Sequence, residues 1–116
     1  MLFLSADDFF QKAKAFSRME REEEINCARL MENGDLTARE RLIQSYMPVV
    51  AAAVRKVSPA HQSLSLVVLC LEVLERAVDS FDFFQNSETF THCLSNRLKQ
   101  TVTRYIAQNV SYGDKL

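Results

Sequence analysis

The stretch Gly34–Val57, GDLTARERLIQSYMPVVAAAVRKV, decides the fold. Leu42, Ile43, Tyr46, Val50, Ala53, Val54 and Val57 recur at the spacing of one helix face. They predict an inward-facing apolar stripe over a segment from about Thr37 to Val57. Asp35 or Thr37 can supply the oxygen that caps its first turn. Pro48 removes a backbone donor, which predicts a kink or break near Met47. Ser58-Pro59 ends the segment, because a residue before proline avoids helical backbone angles.

Four more helical segments read outward from this one. Phe9, Phe10, Ala13 and Phe16 predict a helix over Ala6–Phe16, with Ser5 and Asp8 as a start resembling a capping box. Ile25, Ala28 and Met31 mark a second helix over Arg21–Glu32, which Asn33-Gly34 stops because glycine tolerates the left-handed conformation just past a helix end. The acidic run Glu20–Glu24 favours the positive end of that helix and reads as a solvated start. A fourth helix, about Ser63–Phe81, is apolar on almost every side where it begins, as buried helices are. After a connection over Asp82–Asn86, the fifth runs from about Ser87 to Gln108. Phe90, Leu94, Leu98, Val102, Tyr105 and Ile106 form its inner stripe. His92, Ser95, Asn96, Lys99, Gln100, Thr103 and Arg104 form its outer face.

Composition agrees with that reading. A chain of 116 residues with 47% hydrophobic and 25% charged residues fits one globular domain. Two Gly and two Pro are too few for a sandwich, a barrel or a glycine-rich phosphate loop. The expected architecture is all-α, a single bundle of about five helices over residues 1–116.

The net charge of −1 carries no message about partners, but its distribution does. Thr89–Gln108, TFTHCLSNRLKQTVTRYIAQ, contains no Asp or Glu, and residues 89–116 hold only Asp114 against Arg97, Lys99, Arg104 and Lys115. Arg and Lys suit phosphate contact, while Gln100 and Thr103 can bond to base edges. A solvated helix face is the plainer account of so few charges.

Other chemistry finds little support. His92 and Cys93 are the closest potential metal ligands, yet neighbours on a helix point apart, so no metal or other cofactor is expected. Cys27, Cys70 and Cys93 read as buried thiols of a reducing cytosol, which places the chain in the cytoplasm. No nucleophile-and-base order, phosphate loop or carboxylate pair stands out, and two histidines leave few general bases, so an enzyme is not expected. The opening MLFLSADD is apolar for four residues only and Leu66–Leu71 is short, so no membrane span is expected.

Three stretches, in order, carry a resemblance. EEEINCARLMENGDLTARERLIQSYMPVVAAAVRKV, then LERAVDSFD, then TFTHCLSNRLKQTVTRYIA resemble region 2 of bacterial RNA polymerase sigma factors. That family shows Gly-Asp before an Ala-Arg-Glu-Arg-Leu-Ile-type helix, a Leu-x-Arg-Ala-Val-x-x-Phe-Asp segment, and a helix with Ile-Arg-Gln-x-Ile-Thr-Arg. The resemblance covers about Glu22–Ala107, leaving residues 1–20 as an additional N-terminal helix. It implies an all-helical domain that binds the clamp coiled coil of core RNA polymerase and reads and opens the −10 element of promoter DNA. By position, Gln100 and Thr103 match residues that read the upstream end of that element. Lys99 and Arg104 match basic positions near the backbone, and Phe90 matches an aromatic of the melting segment. Carboxylates there would repel phosphates, which gives their absence a reason.

The departures are specific. The family's paired tryptophans fall on Asn96 and Arg97, and the tyrosine that stacks on an unpaired adenine falls on Cys93. Its polymerase-docking Asp, Gln and Glu fall on Ser65, Val68 and Leu69. On a regular helix Ser65, Val68, Leu69, Glu72 and Asp79 share one side. The sequence leaves two placements open. Val68 and Leu69 either form an exposed patch for an anti-sigma partner or another copy of the chain, or lie beneath the first helix. No helix-turn-helix candidate follows Gln108, so recognition of an upstream promoter element is not expected in this chain. The competing function is a diverged interaction module that has lost promoter binding.

Overall fold

A computed structural model describes residues 2–84 and 87–114. Those residues form α1 (Ala6–Ala13), α2 (Arg21–Glu32), α3 (Leu36–Ser45), α4 (Met47–Arg55), α5 (Leu64–Ser80) and α6 (Ser87–Asp114), with a 3₁₀ turn at Pro59–His61. No strand occurs among the described residues, so the all-α bundle is as expected. Gln85 and Asn86 of the expected connection, and Lys115 of the cationic segment, lie outside the described residues.

Local chemistry explains most of the boundaries. Ser5 Oγ accepts from the Asp8 amide at 3.0 Å, while Asp8 Oδ2 accepts from the Leu4 amide at 2.9 Å. α1 stops at Ala13, short of the expected Phe16, because Ala15 N and Phe16 N turn back to Lys12 O and Ala13 O and tighten the last turn. Gly34, at φ +90°, closes α2: its amide reaches Met31 O and the Asp35 amide reaches Leu30 O, both at 2.9 Å. Asp35, not Thr37, then caps α3 by accepting from Ala38 N at 3.0 Å.

The long helix expected over Thr37–Val57 is two helices. Tyr46 sits between them at φ −102°, ψ 1°, and Pro48 lies in the first turn of α4, where a missing N–H costs nothing. Gln62 Nε2 donates to Val57 O at 2.9 Å and so satisfies a carbonyl beyond the end of α4. Helix α6 continues past the expected end at Gln108 to Asp114.

Buried residues from all six helices join in one core, including Phe9, Cys27, Leu42, Val50, Leu66, Leu74, Phe90 and Leu98. α2 pairs with α3, α4 packs on both α5 and α6, and α1 packs on α4 and α5. α5 and α6 form an antiparallel pair pinned at both ends. The Phe81 and Phe90 rings meet at 4.9 Å, and the Ser63 and Tyr105 hydroxyls share a hydrogen bond at 2.8 Å.

Candidate nucleic-acid interface

The two pins fix how α6 is turned about its axis. Phe90, Leu94, Leu98 and Val102 are buried, with Tyr105 and Ile106 half-buried. The opposite side therefore faces water, and Asn96, Arg97, Lys99, Gln100, Thr103 and Arg104 are all exposed. Among the described residues no carboxylate pairs with Arg97, Lys99 or Arg104, whereas ion pairs elsewhere hold Lys12, Arg21, Arg39 and Arg41.

The structure divides this face instead of gathering it. Residues step about 100° around a helix, so Lys99 lies about 160° from Arg97 and about 140° from Arg104. Lys99 stands with Ser95, Asn96 and Thr103 along the α4 side. There a groove of about 720 Å³ runs between the helices, with Val49, Ala52, Ala53, Val57, Leu98 and Val102 as apolar lining and Lys56 across from Lys99. Arg97 and Arg104 lie on the other flank, with Gln100 between the two.

Phe90 requires a correction. Its ring is 1% exposed, with centroids 4.7 Å from Tyr46, 4.8 Å from Phe83 and 4.9 Å from Phe81. A ring held on three sides by other rings has no face for a base. Phe90 belongs to the core beneath the start of α6.

The second candidate surface is on α5. Val68 is 45% and Leu69 39% exposed, and Ser65 and Glu72 are exposed beside them. α1 reaches α5 without covering this face, which resolves the two placements the sequence leaves open.

Sequence reasoning missed a polar cluster at the other end of Tyr46. The Tyr46 hydroxyl donates to Glu24 Oε2 at 2.6 Å, Arg18 Nη2 donates to the Tyr46 oxygen at 3.2 Å, and the Arg18 guanidinium lies 4.4 Å from the Tyr46 ring centre. Glu24 Oε1 lies 3.5 Å from Arg21 Nη1. Glu24 is thus buried, not part of a solvated helix start. Burial, and then the bond to Glu24, push the Tyr46 phenol far above its ordinary pKa, so it stays a donor. The signal in the sequence was weak: a lone Tyr on an apolar stripe needs some polar partner.

Cys27 and Cys70 are buried as expected, but Cys93 is exposed on α6. No group of His, Cys, Asp and Glu able to hold a metal occurs among the described residues. No described helix is long and apolar enough to cross a membrane. No protein-family model matches the chain, and no solved structure matches it.

Proposed function

We propose that this chain is a sigma-factor-like domain that acts in transcription initiation by binding promoter DNA, with single-stranded DNA lying along α6. The supporting observation is the exposed, carboxylate-free outer face of α6, whose Arg97, Lys99 and Arg104 have no carboxylate partner among the described residues. The order of GDLTARERLI, LERAVDSFD and NRLKQTVTR along the chain supports the same reading. Gln100 and Thr103 supply hydrogen-bonding groups between the two cationic flanks.

The test is fluorescence anisotropy with a single-stranded −10-like oligonucleotide at several salt concentrations. Three phosphate contacts predict a log–log salt slope of about −2 on single strands. Lys99→Ala and Arg104→Ala each reduce the slope by about 0.7 and weaken binding to all sequences alike. Binding that is absent at low salt removes the reading.

The exposed Val68 and Leu69 favour a second reading, a diverged interaction module without promoter binding. They stand where the resemblance puts polar polymerase contacts. Capture by the clamp coiled coil of core RNA polymerase separates the two: it is expected for a sigma-like domain and absent for a module that has lost polymerase binding.

A further inference from the structure

Two apolar features of the surface lack partners, and they are complementary. One is the α4/α6 groove, lined by Val49, Ala52, Ala53, Val57, Leu98 and Val102. The small side chains of Ala52 and Ala53 leave its floor low. The charged groups in its lining are Lys56 and Lys99, one on each wall, and it holds no carboxylate. The other is the outer face of α5, where Val68 and Leu69 project with exposed Glu72 about one turn and Glu75 about two turns further along the helix. Helical steps of about 100° put all four within one third of the helix circumference. Arg76 and Asp79 continue that face, and Asp79 is already held by Arg39 at 2.7 Å.

We propose that the groove receives the Val68/Leu69 face of a second copy of this chain. Val68 and Leu69 enter the apolar floor, and Glu72 and Glu75 meet Lys56 and Lys99. Helix-in-groove docking combines apolar side chains set into a groove with neighbouring charges that fix the register, and here Val68 and Leu69 supply the first and Glu72 and Glu75 the second. The same molecule cannot satisfy itself. The buried stripe of α5, including Leu66, Val67, Cys70, Leu74 and Val78, faces the core it shares with α4 and α6, so Val68 and Leu69 point away from their own groove. Ridge and groove are different surfaces, so the contact is head-to-tail and propagates from copy to copy. The inference does not rest on the proposed DNA binding, although Lys99 belongs to both surfaces, so DNA and a second copy would compete for it.

Sedimentation velocity over a range of loading concentrations tests it. The unaltered chain is expected to gain mass steadily with concentration and to lose that gain in high salt. Lys56→Glu with Lys99→Glu puts acid against acid, and Glu72→Lys with Glu75→Lys puts base against base. Each pair is expected to weaken association by at least about tenfold. All four positions are exposed, and circular dichroism checks that each variant keeps the fold. Mixing the two variants pairs opposite charges again and is expected to restore association. Val68→Glu, which the mixture does not rescue, is expected to abolish it. A chain monomeric at every concentration overturns the proposal, as does association that survives both reversals. Failure of the mixture to restore association also overturns it, because ridge and groove would then not be partners.

Discussion

The Tyr46 hydroxyl and the Glu24 carboxylate, 22 residues apart in sequence, meet in a buried 2.6 Å hydrogen bond that ties α2 to the junction between α3 and α4. A buried carboxylate that loses its donor retains the cost of leaving water. Tyr46→Phe is therefore expected to lower unfolding free energy by about 1–3 kcal/mol. Glu24→Gln keeps an acceptor and is expected to cost less. The Tyr46 pKa is raised on folding, so its contribution is present below about pH 10 and is lost as pH rises beyond that. Urea titrations at neutral and alkaline pH check both points: Tyr46→Phe should reduce the alkaline loss.

Phe90 packs against the Tyr46 ring at 4.7 Å and belongs to the core, not to the candidate interface. Phe90→Ala opens a cavity among Tyr46, Phe81 and Phe83 and is expected to cost about 3–5 kcal/mol. Phe90→Leu keeps most of the volume and the fold. Oligonucleotide affinity of the Leu variant should equal that of the unaltered chain, since the buried ring meets no ligand. An anisotropy titration that finds a clear loss in the folded Leu variant contradicts this placement.

These residues also mark what the sequence could reveal. Phe90, Leu94, Leu98 and Val102 lie at intervals of four, so the buried stripe of α6 and its polar outer face follow from periodicity alone. Pro48 announced a disturbance but not its form. Whether a helix bends or restarts depends on the neighbouring backbone, and here Tyr46 leaves helical geometry. Glu24 was unreadable because its burial depends on Tyr46 and Arg18, which only the folded chain brings near. The α4/α6 groove was unreadable for the same reason. Ala52 and Ala53 of α4 and Leu98 and Val102 of α6 line it together, and no local pattern encodes that two such distant helices pack side by side. The exposure of Val68 and Leu69 turned on where α1 packs.

The Arg39–Asp79 pair joins α3 to α5 with two bonds, 2.7 and 2.9 Å. The hydrogen bonds from Arg39 hold the Asp79 carboxyl below its ordinary range. A depressed folded value stabilises above about pH 4 and is lost as pH falls through the depressed value. The Asp79 side chain is 51% exposed, so solvent screening limits the effect to about 0.5 kcal/mol. Asp79→Asn should lower stability by that amount at pH 7 and flatten the acid limb of a stability–pH curve measured by denaturant titration.

Cys93 offers a direct test of the proposed interface. It is exposed on α6, one turn before Arg97 and two before Gln100, on the flank away from Lys99. Cys27 and Cys70 are buried, and burial pushes the Cys70 thiol up to about 11, which leaves little thiolate at neutral pH. A thiol-alkylating reagent at pH 7 should therefore modify one cysteine quickly and the other two only on unfolding, as peptide mass spectrometry would show. A fluorophore placed on Cys93 should respond to single-stranded DNA, and Arg97→Ala or Arg104→Ala should weaken that response. The same label should be nearly silent during self-association through the α4/α6 groove, because the groove lies beyond Lys99 on the opposite flank. A label that answers self-association as strongly as DNA would mean that the two flanks do not act separately.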